Sequence, residues 1–267
     1  MPELPEVETV KLQLADSILN EDIKSVRLSK LNLRKPLNCS SSKLKNRKFV
    51  GVSRWGKKLL IHFDDDSLLD VSLGMTGMMR VEEGKFSKQK HDHLIFELKT
   101  GKKLIYNDPR RFGWVSYVKD KMDLDGWDPI LSPAKDYKLK VLEPGLKSKK
   151  TIYSFLMDQK YIVGLGNIYV QEVLFKARIH PFKRACDCSE KDFENIRKAC
   201  RQILKQALSH GGSTILSYQN AKGEKGGFQN KLKVYGKKRG EPCRVCKAPL
   251  KHVMEARSVS FCSNCQT

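Results

Sequence analysis

Residues 243–265 read CRVCKAPLKHVMEARSVSFCSNC, two Cys-x-x-Cys pairs with fifteen residues between them. Four thiolates at ~2.3 Å satisfy a tetrahedral zinc ion without redox chemistry, so Cys243, Cys246, Cys262 and Cys265 read as ligands of one structural Zn2+. A redox pair and free thiols are the competing readings, and the spacing favours the metal. A hairpin this small cannot supply an active site alone. It can hold a rigid ribbon that aims basic residues such as Arg257 at a phosphate groove, which makes it a DNA-binding module at the end of a larger chain.

The rest of the composition agrees. The chain has 267 residues, enough for one large or two ordinary domains, and carries 51 Lys and Arg against 30 acids for a net charge of +21. Such an excess dominates the surrounding field and makes nucleic acid the natural partner. A solvated basic surface and an anionic membrane face are the alternatives, but no apolar run approaches the ~20 residues of a span. The N-terminus lacks the basic and apolar regions of a secretory signal, and the paired cysteines suit metal ligation in a reducing cytoplasm. Cys39, Cys186, Cys188 and Cys200 have no matching second pair: Cys186 and Cys188 read as free thiols of a loop, Cys200 as core.

Two styles of sequence follow one another. Residues 5–20 place Val7, Val10, Leu12, Leu14, Ala15 and Ile18 on one helical face, and strand-like stretches follow in KFVGVSRWGKKLLIHF, SLLDVSLG and HLIFELKTGKKLIYND. Thr100 and Gly101 punctuate a hairpin. From about Thr151 the pattern turns helical, with Phe193, Ile196, Ala199, Cys200, Ile203, Leu204, Ala207 and Leu208 forming one buried face that stops at HGG. SPAKDYKLKVLEPGLKSKK, rich in Pro and Lys, reads as a link. The expected partition is residues 1–134, a basic linker 135–150, a helical domain 151–222, and 223–267 with the metal hairpin.

Three further stretches carry chemistry. In GLGNIYVQEVLF, Asn167 stands at an expected helix N-cap, where backbone amides could also hold phosphate. YNDPRRFGW joins two arginines to an aromatic at a strand end. It reads either as a β-turn with solvated arginines and a core Phe, or as a wedge that enters a duplex and fills the space of an everted base. The opening MPELPEVETV suits a helix start, with Pro in the first turn and Glu beside the positive end of the dipole.

These stretches, with RWGKKLL, LGMTG, KHDHL, FQNKLKVYGKKRGEPCRVC and the closing CSNCQ, occur in order along essentially the whole chain and together resemble the bacterial formamidopyrimidine-DNA glycosylase family. The resemblance implies an α+β multidomain fold: an N-terminal β-sandwich with a leading helix, a helix-two-turn-helix domain and a C-terminal zinc-finger β-hairpin. It implies a bifunctional glycosylase and abasic-site lyase acting on damaged double-stranded DNA, a monomer in the bacterial cytoplasm with no membrane association. Pro2, exposed by loss of Met1, corresponds to the nucleophile that forms an imine with the damaged sugar; a terminal secondary amine suits that chemistry. Glu3 corresponds to the proton donor and acceptor at the deoxyribose, Glu6 to its support, Lys57 to proton transfer in β-elimination, and Arg257 to δ-elimination and phosphate contact. His91, Arg110 and Asn167 correspond to DNA contacts, and Met75, Arg110 and Phe112 to the residues that fill the helix.

The chain also departs from the family pattern. Ser72 precedes LGM where His is usual, Ile152-Tyr153 replaces a frequent Ile-Lys, and Gln171 and Val173 stand where Asp and Ala are frequent. In the base-capping loop Thr214, Ile215, Leu216 and Ser217 replace a pattern of Thr, an aliphatic residue, a basic residue and Asp. The PELPE opening favours oxidised purines, 8-oxoguanine and formamidopyrimidines. Endonuclease-VIII-like relatives acting on oxidised pyrimidines, and a zinc-ribbon protein that binds damaged DNA without cutting it, are the alternatives.

Overall fold

The computed structural model describes residues 1–29, 33–35, 37–120, 122–214, 220–221, 223–254 and 257–267. The chain forms two compact units, one of residues 1–123 with 210–227 and the other of 124–209 with 228–267.

The first unit is the expected sandwich. Helix α1 (Leu4–Ile18) leads, followed by β1 (Ile23–Leu28), the short α2 (Ser41–Leu44), β2 (Phe49–Trp55), β3 (Lys58–Phe63), β4 (Leu68–Ser72), β5 (Met78–Glu82), β6 (Asp92–Leu98), β7 (Lys103–Asn107) and β8 (Trp114–Val118). The strands build two four-stranded sheets, ordered β1-β6-β7-β5 and β2-β3-β4-β8, with antiparallel pairing throughout. Alternate residues of each sheet turn inward, as the period of a strand requires. One apolar cluster joins them to the stripe of α1. At its centre Phe49 stacks on Phe63 at 5.5 Å and meets Phe96 edge-on at 5.6 Å.

Val7, Val10, Leu14 and Ile18 form the buried stripe of α1, but Leu12 is 54% exposed. Its place in the expected face is corrected by the helical period: steps of three and four from Val7 reach Val10, Leu14 and Ile18 and pass Leu12 by. The Thr100-Gly101 hairpin forms between β6 and β7, with Gly101 at φ +90. A second tight turn, Gly56-Lys57, closes β2 onto β3, with Gly56 at φ +58 supplying the conformation such turns demand.

The second unit contains a π-helical turn (Lys138–Leu142) running into α3 (Glu143–Leu146), then α4 (Ile152–Met157), α5 (Asn167–Ala177), α6 (Glu190–Leu208) and the hairpin of β9 (Lys251–Met254) with β10 (Ser258–Phe261). Ser189 and Asp192 cap α6 reciprocally, and the predicted face from Phe193 to Ala207 is buried, with Leu208 at its half-buried end. Cys200 is core, and Cys186 and Cys188 are free thiols of a short turn.

The segment read as a basic linker is packed structure. Tyr137 and Val141 are buried, the Tyr137 hydroxyl donates to the Phe193 carbonyl at 2.7 Å, and Gly145 lies against the Phe193 ring, where a Cβ would come within 2.3 Å. Most of its lysines are exposed, while Lys140 folds back to donate to the Gly126 carbonyl at 3.0 Å, and the buried positions 137, 141 and 145 recur every four residues. The units also divide the chain elsewhere than at 134 and 222. Residues 124–134 belong with the helices because Trp127 packs on Tyr137 and Arg201 donates to the Pro129 and Ser132 carbonyls. Residues 210–227 return to the first unit through bonds to α1, given below. Among the described residues, no helix is long and apolar enough to cross a membrane.

Phe49→Ala removes the ring that joins Phe63 to Phe96 and leaves a cavity between the sheets. We expect a loss of about 3–5 kcal/mol, read as a lower midpoint in equilibrium urea denaturation.

Candidate active site

The N-terminus of α1 is buried. Pro2, Glu3 and Glu6 are all inaccessible, with Glu3 at 3% and Glu6 at 1% exposure. Glu3 is the N-cap in an extended conformation, and Glu6, one turn on, reaches back so that its Oε2 accepts the Glu3 backbone N–H at 2.8 Å. The other oxygen, Oε1, accepts the Ser213 N–H at 2.7 Å. Gly212 makes that approach possible: at φ +80, a Cβ there would stand 2.7 Å from the same carboxylate oxygen. Further along α1, the Ala221 N–H donates to Gln13 Oε1 at 2.8 Å, so among the described residues Ser213 and Ala221 both tie this segment to the helix.

Lys57, half-buried, occupies the β2–β3 turn. That turn is tied to α1 by Arg54, 3% exposed, which donates through Nε to Glu8 at 2.7 Å and through Nη1 to the Gly56 carbonyl at 3.1 Å. Burial works against the charge on Glu8, but Lys11 and Arg54 outweigh it and hold the carboxyl below its usual range. Its neighbour Lys58, the first residue of β3, pairs with Asp70 at 3.3 Å.

Met75, His91, Arg110 and Phe112 gather around one fully buried carboxylate. Asp108 Oδ1 accepts from the Thr76 hydroxyl and from the Arg110 N–H at 3.2 Å, Oδ2 accepts the Gly113 N–H at 2.9 Å, and the Asp108 N–H donates to the His91 carbonyl at 3.1 Å. Burial, then the neighbouring Asp108 charge, raises the pKa of Tyr106, which stays a donor to the Ser72 carbonyl at 3.1 Å. The side chains this frame carries are exposed: Met75 at 40% and Phe112 at 44%, with the Arg110 guanidinium 4.5 Å over the Phe112 ring. Phe112 is therefore not a core residue. Arg110, Arg111, Phe112, Leu33 and Arg34 line a groove of about 520 Å³, a cationic recess with an aromatic wall.

In the second unit, Asn167 and Arg257 are brought to neighbouring positions. The cap of α5 is Gly166, extended at φ −138, whose carbonyl accepts the Val170 N–H; Asn167 is the first helical residue, which corrects its expected place. Its side chain is engaged away from the helix amides. Oδ1 accepts from the Tyr153 hydroxyl at 2.6 Å and from Gln171 Nε2 at 2.7 Å, and Nδ2 donates to the Ser258 carbonyl at 3.3 Å. Ser258 follows Arg257, which is exposed at the β9–β10 turn.

The sulfur atoms of Cys243, Cys246, Cys262 and Cys265 all lie within 4.8 Å of one another. The Cys243–Cys265 and Cys246–Cys262 separations are 3.9 and 3.4 Å, close to the ~3.8 Å edge of a tetrahedron with 2.3 Å metal–sulfur bonds. The donor set fits a metal ion. Glu172 Oε1 and Oε2 accept the backbone N–H groups of Lys233, Val234 and Tyr235 at 2.9–3.0 Å and hold the approach to this cluster on α5, though burial raises the Glu172 pKa.

Residues 1–115 match the family model described as the formamidopyrimidine-DNA glycosylase N-terminal domain, and residues 126–219 match that of its H2TH domain. The formamidopyrimidine-DNA glycosylase of Rickettsia africae is 39% identical over 100% of this chain and 99% of its own length, and that of the Wolbachia of Brugia malayi is 37% identical with full coverage of both. The chain belongs to the formamidopyrimidine-DNA glycosylase family. This is a family of DNA glycosylases and abasic-site lyases. Among solved structures, Lactococcus lactis Fpg in complex with abasic-site DNA matches with a TM-score of 0.88 at 34% identity, covering 99% of each chain. A variant of the same protein bound to DNA containing Fapy-dG matches with a TM-score of 0.89 at 34% identity and full coverage of both chains.

Asp108, Arg54 and Glu172 are supporting residues that the sequence reading missed. The NDP triplet before a turn signals an Asx residue, and an arginine among strand apolars signals a buried partner. Of the capping-loop residues, Thr214 is described, its hydroxyl accepting the Gly226 N–H at 2.9 Å. Ile215, Leu216 and Ser217 lie outside the described residues.

Asp108→Ala strands the buried Gly113 N–H and frees the turn that carries Arg110. We expect a loss of about 1–3 kcal/mol in the denaturation midpoint together with faster proteolysis at residues 109–112.

Proposed function

We propose that the chain is a bifunctional base-excision-repair enzyme that removes oxidised purines from duplex DNA and nicks the resulting abasic site. The observation that carries this reading is the buried first turn of α1, where Glu6 fixes the backbone of Glu3 beside Pro2. A helix start alone needs no inaccessible carboxylic acids. The complexes of the Lactococcus lactis relatives with abasic-site and Fapy-dG DNA support the substrate class.

Once Met1 is removed, the Pro2 nitrogen is a secondary amine whose ordinary pKa range, near ~8 for a terminal amine, leaves far more of it unprotonated than a lysine at ~10.4. It attacks C1′ of the damaged nucleotide. The C1′–N bond breaks, the base departs with a proton, and Glu3 protonates O4′ as the sugar opens to the iminium. The iminium then withdraws electrons as a C2′ proton is lost and the 3′ phosphate leaves, with Lys57 moving protons in that step. Arg257 serves the second elimination, which expels the 5′ phosphate. Arg110 and Phe112 enter the space of the everted nucleotide, Met75 fills beside them, and His91 and Asn167 hold phosphates.

The four thiolates hold one Zn2+, which closes the finger hairpin and performs no chemistry. The enzyme works as a monomer in the cytoplasm, on nucleoid DNA.

Borohydride is expected to trap a covalent complex with abasic-site DNA through the Pro2 nitrogen. Glu3→Gln abolishes base excision while keeping most lyase activity on a preformed abasic site. Peptide mapping that finds the cross-link on Lys57, or full activity with Met1 retained, sinks the assignment. Cys262→Ser is expected to lose the metal, by elemental analysis of the purified protein, and most of its DNA affinity.

A further inference from the structure

The two departures at Tyr153 and Gln171 converge on one atom. Both side chains donate to Asn167 Oδ1, at 2.6 and 2.7 Å. Gln171, 3% exposed, makes two further bonds: its Nε2 donates to the Ser258 carbonyl at 2.9 Å and its Oε1 accepts the Ser260 N–H at 2.8 Å. Its hydrogen-bonding capacity is spent on Asn167 and on the strand that follows Arg257.

This network leaves no freedom in the amide orientations. The Ser260 N–H can only donate, so the Gln171 atom facing it is the oxygen. The Ser258 carbonyl can only accept, so Gln171 and Asn167 must both turn nitrogen toward it. The Asn167 oxygen then faces Tyr153 and Gln171. One Asn167 amide hydrogen goes to Ser258, and the second has no partner among the described residues.

We propose that Gln171 is a positioning residue that fixes the Asn167 carboxamide so that its remaining N–H, rather than its carbonyl, is presented to a DNA phosphate. The inference rests on the reading of Asn167 as a phosphate contact. A carboxylate at position 171 could still accept from Ser260, but it would set lone pairs against Asn167 Oδ1 and the Ser258 carbonyl. Asn167 would relieve that repulsion by turning its amide inward, and the DNA would then meet a carbonyl oxygen.

The test measures binding of the full-length, metal-loaded protein to a duplex with a stable abasic-site analogue, with Gln171→Glu made alone and in Asn167→Ala. We expect Gln171→Glu to weaken binding by about tenfold in the native background and by less than about twofold in Asn167→Ala, with the loss on KM rather than kcat in turnover. Tyr153→Phe gives an independent arm should Gln171→Glu not fold: a smaller loss that likewise disappears in Asn167→Ala. Native affinity in both single variants, an equal loss in both backgrounds, or a loss confined to kcat overturns the inference. If Asn167→Ala itself binds as the native protein does, the phosphate reading of Asn167 fails first and the inference with it. If Asn167→Ala binds weakly while Gln171→Glu and Tyr153→Phe do not, only the inference falls.

Discussion

The Glu6 carboxylate is the interaction on which the first unit depends. A helix begins with amides that have no partner of their own, and burying that end without acceptors costs free energy for each one. Glu6 answers the Glu3 N–H with one oxygen and the Ser213 N–H with the other. In one residue it caps α1, draws the chain terminus inward, and brings a segment from more than two hundred positions away onto the helix. Gly212 is the backbone concession that lets the two sides meet.

The same device recurs. Asp108, 0% exposed, gathers the turn that carries Arg110 and Phe112, and Glu172, 2% exposed, gathers the amides of 233–235. In a chain with a net charge of +21, the acids that matter most are interior and spend their oxygens on backbone amides. Apart from buried cations such as Arg54, positive charge stays outside, as at Arg110, Arg111 and Arg34, where a polyanion can reach it. Shape is set by buried negative charge and attraction by exposed positive charge.

Much of this was readable in the sequence because spacing translates directly into geometry. The Cys-x-x-Cys pairs become four converging sulfurs, the Phe193 to Ala207 period becomes the buried face of α6, and Thr100-Gly101 becomes a hairpin. What escaped depends on residues distant in sequence. Nothing near Glu6 announces Ser213, nothing near Asn167 announces Tyr153 or Ser258, and Lys-rich spelling hid the Tyr137, Val141 and Gly145 packing. Leu12 escaped for the opposite reason: an apolar residue on a helix attracts a core assignment that its angle does not support.

The return of residues 210–227 to the first unit has a consequence for inheritance. The chain passes between the units at 123/124, 209/210 and 227/228, so neither unit is encoded by an uninterrupted stretch. A gene fragment that ends after the sandwich carries Glu6 without Ser213, and one that begins at the helices carries Ser213 without Glu6. Recombination cannot lend either half to another protein intact. Selection has had to act on the two units as a single heritable object, so a change in the segment after α6 is weighed at once against the chain's own first turn.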